Sequence, residues 1–249
     1  MNRNIRGILI FLLGATVAAT AVAGGADERD PAAGAAAAAQ AADSSDTTET
    51  SGAPAADPQV SPPAVDAPEG AKTAIFAGGC FWCMEEAFEK YDGVYEAVSG
   101  YTGGTTDNPT YQEVSYANTG HAEVVQIVYD PAKLSYEDLL YVFWRNVDLL
   151  DGGGQFCDRG PSYRPGIFYG TEEERELALQ SKREIEESGR FNRPIAVEIT
   201  PLDTFWIAED YHQNYYKTNE IRYKLYKDAC GRVRRLEQLW GDEALGAGL

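Results

Sequence analysis

The chain has 249 residues, of which 44% are hydrophobic, and carries 39 Asp and Glu against 21 Lys and Arg, a formal net charge of −18. Such an acidic excess leaves no basic face to neutralise phosphates, which excludes a nucleic-acid binder, and it repels the chain from anionic surfaces.

Arg3 and Arg6 precede an apolar run from Ile8 to Val22, and Ala21-Val22-Ala23 before Gly24 is a small-residue cleavage pattern. Residues 1–23 therefore read as a signal peptide that exports the protein to the periplasm or another extracytoplasmic space. An uncleaved membrane anchor is the alternative. Residues 24–70 are rich in Ala, Pro, Ser, Thr, Asp and Gly and hold no aromatic side chain. A segment that buries so little apolar surface cannot offset its ordering entropy, so it is expected to be a disordered tether. Residues 71–249 remain for one domain with a proper core.

In that domain, Thr73–Ala77 reads as a short strand, followed by Gly78-Gly79-Cys80 and a helix over Phe81–Lys90. Cys80 thus falls at a helix N-terminus, where backbone N–H groups and the helix dipole favour a thiolate. Phe81 and Trp82 follow it, an apolar surface suited to a methyl or thioether group. Val94–Tyr101 and Ala122–Tyr129 are strands by their β-branched and aromatic content. Ser135–Asn146 and Thr171–Ser188 are helices, each opened by a capping sequence of the S/T-x-x-D/E kind. Ile167–Tyr169 and Ile195–Ile199 are further strands, and a Tyr-rich helical or coiled tail covers Ala208–Leu239. The order of elements is that of an α+β sandwich, with strand order open.

Four cysteines and two histidines carry the candidate chemistry. Cys80 and Cys83 form a C-x-x-C whose sulfurs share one helix face, which allows a redox pair; Cys83 as a small core residue is the alternative. Cys157 is read as a buried structural thiol or half of a stabilising disulfide, and Cys230, flanked by Gly231, as a mobile resolving thiol; four cysteines permit three pairings. A zinc site using His121 or His212 fails on spacing, because no second closely spaced ligand pair exists, so no metal is expected.

Gly79-Cys80-Phe81-Trp82, Ser99-Gly100-Tyr101-Thr102-Gly103-Gly104, Pro109–Val114, Gly120-His121-Ala122-Glu123-Val124-Val125, Asp158, Tyr163-Arg164, Ala208–Gln213 and Leu239-Trp240-Gly241 occur in this order. Together they resemble the peptide methionine sulfoxide reductase A family over essentially all of residues 71–241. The resemblance implies a two-layer α/β sandwich with a ferredoxin-like core and reduction of the S epimer of methionine sulfoxide, free or in peptides and oxidised proteins. It implies Cys80 as nucleophile, passing through a sulfenic acid, and Phe81 and Trp82 as the methyl-binding wall. Glu123 is implied as the acid for the sulfoxide oxygen, Tyr111 and Tyr163 as hydrogen-bond donors to it, and Asp158 as the residue that orients the network.

The chain departs from the family where recycling is concerned. Many members have Gly in place of Cys83, and many hold resolving cysteines in a Gly-rich C-terminal tail. Cys230-Gly231-Arg232 is the nearest equivalent, so a Cys80–Cys230 disulfide is expected ahead of Cys80–Cys83, with Cys157 third. No bound cofactor is expected, and the implied electron donor is thioredoxin or a thioredoxin-like domain acting on a monomer. Two other readings stand beside this one: a thioredoxin-type thiol-disulfide exchange protein built on Cys80 to Cys83, and a cysteine-stapled extracellular binding domain.

Overall fold

A computed structural model describes residues 69–249. The expected leader 1–23 and nearly all of the expected linker 24–70 lie outside the described residues. Six strands form one mixed sheet: β1 (Lys72–Gly78), β2 (Val94–Thr102), β3 (Ala122–Tyr129), β6 (Pro165–Tyr169), β7 (Glu198–Pro201) and β8 (Trp206–Ile207), in the order β7-β6-β1-β3-β2-β8. Two-residue strands β4 (Gly154–Gln155) and β5 (Asp158–Arg159) pair as a separate ribbon. The central strands are antiparallel to their neighbours and only β6 and β7 run parallel.

Seven α-helices accompany the sheet among the described residues: α1 (Phe81–Glu89), α2 (Tyr111–Tyr116), α3 (Tyr136–Trp144), α4 (Glu172–Glu187), α5 (Tyr215–Thr218), α6 (Glu220–Cys230) and α7 (Arg232–Trp240). Strand periodicity sends alternate side chains to opposite faces. On one face Ala74, Phe76, Val125, Ile127 and Ile167 pack with the helices. Phe76 stacks between Phe88 of α1 and Phe143 of α3, at ring separations of 5.3 and 5.1 Å. The other face, Ile75, Ala77, Val98, Val124 and Phe168, is covered by Phe205 and Leu202 from the segment around β7 and β8.

Elements long enough to show a period sit where the pattern puts them. The Ser135 capping box on α3 is complete, with Asp138 N–H donating to Ser135 Oγ at 3.1 Å and Ser135 N–H to Asp138 Oδ2 at 2.8 Å. At α4 only half the box forms, because Glu174 accepts instead from Gly170 N–H at 2.7 Å. Strand β7 lies later than the expected 195–199, since Ile195 and Val197 turn into the helical core and only residues from Glu198 pair with β6. Helix α2, absent from the sequence reading, has six residues and too little length for an apolar period; its capping box, Thr110 with Glu113, holds it.

Glu85 of α1 is wholly buried, with one carboxyl oxygen accepting from Asn214 N–H at 3.2 Å. Burial pushes its pKa up to about 8, although the Asn214 and Ser99 hydrogen bonds oppose the shift. The folded protein then binds a proton that the unfolded chain releases near pH 4.5, so stability falls as pH rises from there to about 8. The slope reaches at most about 1.4 kcal/mol per pH unit in that window. Glu85→Gln is expected to remove this slope, melting above the parent at pH 8 and level with it near pH 4.5. Parallel melting-temperature profiles for the two proteins would contradict that assignment.

Candidate active site

The turn between β1 and α1 is shaped by two glycines. A side chain at Gly78 would meet Met84 Sδ at 2.4 Å, and Gly79 has φ +77°, a conformation that favours glycine. The turn delivers Cys80 to the N-cap of α1, where its carbonyl accepts from Cys83 N–H at 3.1 Å. Its side chain makes no cap bond. The free N–H of Phe81 donates instead to Glu123 Oε2 at 3.1 Å. Glu123 sits in β3 opposite Tyr101 of β2, and the strand alternation that points Val125 and Ile127 into the helical core points Glu123 beneath the start of α1.

Cys80, Phe81, Trp82, Glu123, Asp158 and Tyr163 line one small cavity, together with Tyr226 of α6. Six of the residues proposed from sequence are therefore brought together. Tyr111 stands just behind them, its hydroxyl beside Tyr163 and Ser115 without a hydrogen bond of ordinary geometry to either. Asp158 accepts from the Tyr226 hydroxyl at 2.5 Å. Trp82 is stacked on Tyr215 at 3.9 Å and meets Tyr226 edge-on at 6.1 Å.

Two contributors were not assigned roles from the sequence. Tyr226 is one; Tyr223, Tyr226 and Cys230 are spaced three and four apart on one helix, a one-sided stripe that would have been a signal. His212 is the other. Its ring packs between Phe81 and Tyr111 at 4.9 and 4.5 Å, and burial lowers its pKa to about 3, so it is a neutral part of the aromatic wall. Glu209 anchors the same region, accepting from Tyr101 Oη at 2.9 Å and Tyr111 N–H at 2.8 Å. His121 has a local role: Nδ1 accepts from Gly104 N–H at 3.1 Å and Nε2 pairs with the Thr106 carbonyl at 2.8 Å.

The cysteine arrangement corrects the expected pairing. Cys157 and Cys230 form a disulfide, linking the turn between β4 and β5 to the end of α6, while Cys80 and Cys83 are free, buried thiols. Cys230 is thus not bonded to Cys80. A loop and a helix terminus far apart in sequence were joined by the tertiary fold, which chain mobility near Gly231 did not reveal. The only metal-competent grouping among the described residues is Cys157, Asp158 and Cys230, and its two sulfurs are bonded to each other.

The electrostatics of Cys80 also differ from the expectation. Burial pushes its thiol well above the usual range, and its hydrogen bond to Cys83 and the charges of Cys83, Asp158 and Glu123 add to this. The same hydrogen bond lowers Cys83 to about 7, against burial and with help from Arg232. The two thiols thus form one coupled pair, whose first negative charge is shared through this hydrogen bond. Glu123 is pushed well above the carboxylate range by burial, the Phe81 N–H bond only partly opposing it. Asp158 is raised by burial against its Tyr226 hydrogen bond. The phenol of Tyr163 is raised by burial and by Glu123, so it stays a donor. An electron-rich sulfur, a protonated carboxylic acid and phenolic donors around one apolar slot suit attack on an electrophilic atom whose oxygen must gain a proton.

A family model described as peptide methionine sulfoxide reductase matches residues 72–244. The chain belongs to this family. It is 53% identical over 167 residues to the peptide methionine sulfoxide reductase MsrA of Streptococcus agalactiae serotype Ia, spanning 67% of this chain and 98% of that protein. To MsrA of Listeria monocytogenes serotype 4a it is 49% identical over 172 residues, covering 69% and 97% of the two chains. Among solved structures it is similar to reduced Mxr1 from Saccharomyces cerevisiae, with a TM-score of 0.58 and 30% identity, covering 62% of this chain and 90% of that one. Methionine sulfoxide reductase A of Corynebacterium diphtheriae gives a TM-score of 0.55 and 30% identity, with coverages of 66% and 83%. The enzyme is a peptide-methionine (S)-S-oxide reductase, converting methionine sulfoxide to methionine.

Proposed function

We propose that Cys80 is the nucleophile of this repair reaction and that Cys83 is the thiol that resolves it. The cavity lined by Cys80, Phe81, Trp82, Glu123, Asp158, Tyr163 and Tyr226 carries the reading. In it the substrate's methyl group rests on Phe81 and Trp82, and its oxygen faces Glu123, Tyr163 and Tyr111. The Cys80 sulfur attacks the sulfoxide sulfur as Glu123 protonates the oxygen. Oxygen passes to Cys80, leaving a sulfenic acid, and the reduced thioether departs, a two-electron exchange between the two sulfurs. The Cys83 sulfur then displaces the oxygen as water and a Cys80–Cys83 disulfide forms. Asp158, tied to Tyr226, orients the donor set.

The Cys80–Cys83 hydrogen bond and the Cys157–Cys230 disulfide both support Cys83 rather than Cys230 as the resolving thiol. Cys83→Ser is expected to release about one methionine per enzyme and then stall when a thioredoxin-type protein is the reductant. Cys230→Ser is expected to keep turning over. Dithiothreitol must be left out, because a small thiol reduces the sulfenic acid directly. Stalling by the Cys230 variant alone would return the resolving role to that residue.

The electron donor is proposed to be thioredoxin or a thioredoxin-like domain, with no bound cofactor. Export to the periplasm or another extracytoplasmic space is supported by the basic, apolar and small-residue pattern of residues 1–23 and by a disulfide of the kind that persists in oxidising compartments. Residues 24–70 act as the tether. The enzyme is proposed to work as a monomer. The antiparallel order β6-β1-β3-β2, with α1 and α3 as connections, supports a two-layer sandwich with a ferredoxin-like core.

A further inference from the structure

Arg232 opens α7 and is 3% exposed, an unusual place for a guanidinium. Its Nη2 donates to the Gly78 carbonyl at 2.7 Å and its Nη1 to the Asn146 carbonyl at 2.7 Å, with Met84 Sδ 3.8 Å from Nη1. Those contacts bracket the C-x-x-C from both ends, since Gly78 leads into Cys80 and Met84 follows Cys83. The ring of Phe156 lies 4.3 Å from Cζ and keeps water off the other face. Nearby Asp148 is taken by Arg235 of the same helix, at 2.7 Å. The hydrogen bonds of Arg232 thus go to neutral carbonyls, and a cation taken out of water requires a counter-charge close by: the Asp158 carboxyl is one group within reach of its charge, and the Cys80–Cys83 pair is the other.

We propose that Arg232 is a positioning residue for the Cys80–Cys83 pair, its buried guanidinium supplying the counter-charge that lets the dithiol carry one negative charge inside the protein. The inference rests on the reading of the pair as the working thiols. Groups facing the pair come from several elements: Glu123 from β3, Asp158 from β5, Tyr223 and Tyr226 from α6, and Arg232 from α7. Glu123 and both tyrosines are pushed toward their neutral forms by burial, and Asp158 repels a thiolate. Arg232 is the one cation among these groups. The geometry also links its placement to the disulfide, because Cys230 and Gly231 precede it directly and Gly231, at φ +68°, turns the chain from α6 into α7.

The test needs no turnover. With Cys157–Cys230 kept oxidised, only two thiols titrate, and thiolate absorbance near 240 nm follows them between about pH 5 and 9. Arg232→Gln is expected to move the first midpoint up by at least about one unit, a tenfold loss of thiolate at a given pH below it. Arg232→Lys, which keeps the charge, is expected to stay within about half a unit of the parent. An unmoved midpoint in a folded Arg232→Gln protein, checked by near-ultraviolet circular dichroism, overturns the proposal. If the Gln variant does not fold, Arg232→Lys decides: a midpoint held supports the proposal and one raised by a unit or more overturns it. Single-turnover methionine release is measured alongside and is expected to be slowed more at pH 6 than at pH 9. A midpoint that moves without any change in methionine release leaves Arg232 as the counter-charge of the pair and removes that charge from the step that releases methionine.

Discussion

Cys80→Ser is expected to abolish reduction of methionine sulfoxide while leaving the fold intact. Sulfur is needed twice, first as a soft nucleophile toward the sulfoxide sulfur and then as the atom that carries the oxygen in a reversible oxidation state. A serine hydroxyl does neither. The substitution is nearly isosteric, and the position lies in a loop-to-helix turn whose shape is set by Gly78 and Gly79 rather than by the thiol. A melting temperature close to the parent's, together with no methionine released per enzyme in a single turnover, is the expected pair of results. Methionine release by a Cys80→Ser preparation free of parent enzyme would exclude Cys80 as the nucleophile.

Glu123→Gln is expected to slow the chemical step by about 10²–10⁴-fold with little change in substrate binding, because the amide keeps the shape of the side chain but has no acidic proton. The pH profile is the sharper measurement. Burial raises the Glu123 pKa, which favours the protonated carboxyl that can act as the acid. The rate in the parent enzyme should therefore fall as pH rises through that raised pKa, when the acid is lost. In the Gln variant this alkaline limb should vanish while the limb set by thiol ionisation remains. A rate within a few fold of the parent, with both limbs intact, would remove Glu123 from the mechanism.

How far the site was legible in the sequence depended on the kind of signal. Cys80 stood out because strand, glycine pair, cysteine and helix are consecutive, so local chemistry alone places the sulfur at a helix start. Glu123 had no such mark: a carboxylate in a wholly buried strand reads as a polar position, and only the resemblance singled it out. Pairing of β3 between β1 and β2 raises its pKa, because that pairing withdraws it from water, against the opposing hydrogen bond from Phe81 N–H. Tyr226 and His212 passed unassigned, since their roles come from packing against residues about 70 and 130 positions away.

By itself the sequence determined the order and type of the longer elements, the acidic character of the chain, the placement of Cys80 at a helix start and, through separated motifs, the family. These rest on local periodicity, composition and residue spacing, which act over a few residues. Tertiary structure alone decided which cysteines meet and that the two free thiols ionise as a coupled pair. Loop closure brings Cys157 to Cys230 across 73 residues, and burial of Cys80 and Cys83 against each other couples their ionisation. Desolvation and charge proximity are properties of what surrounds a group in space, and no pattern along the chain specifies them.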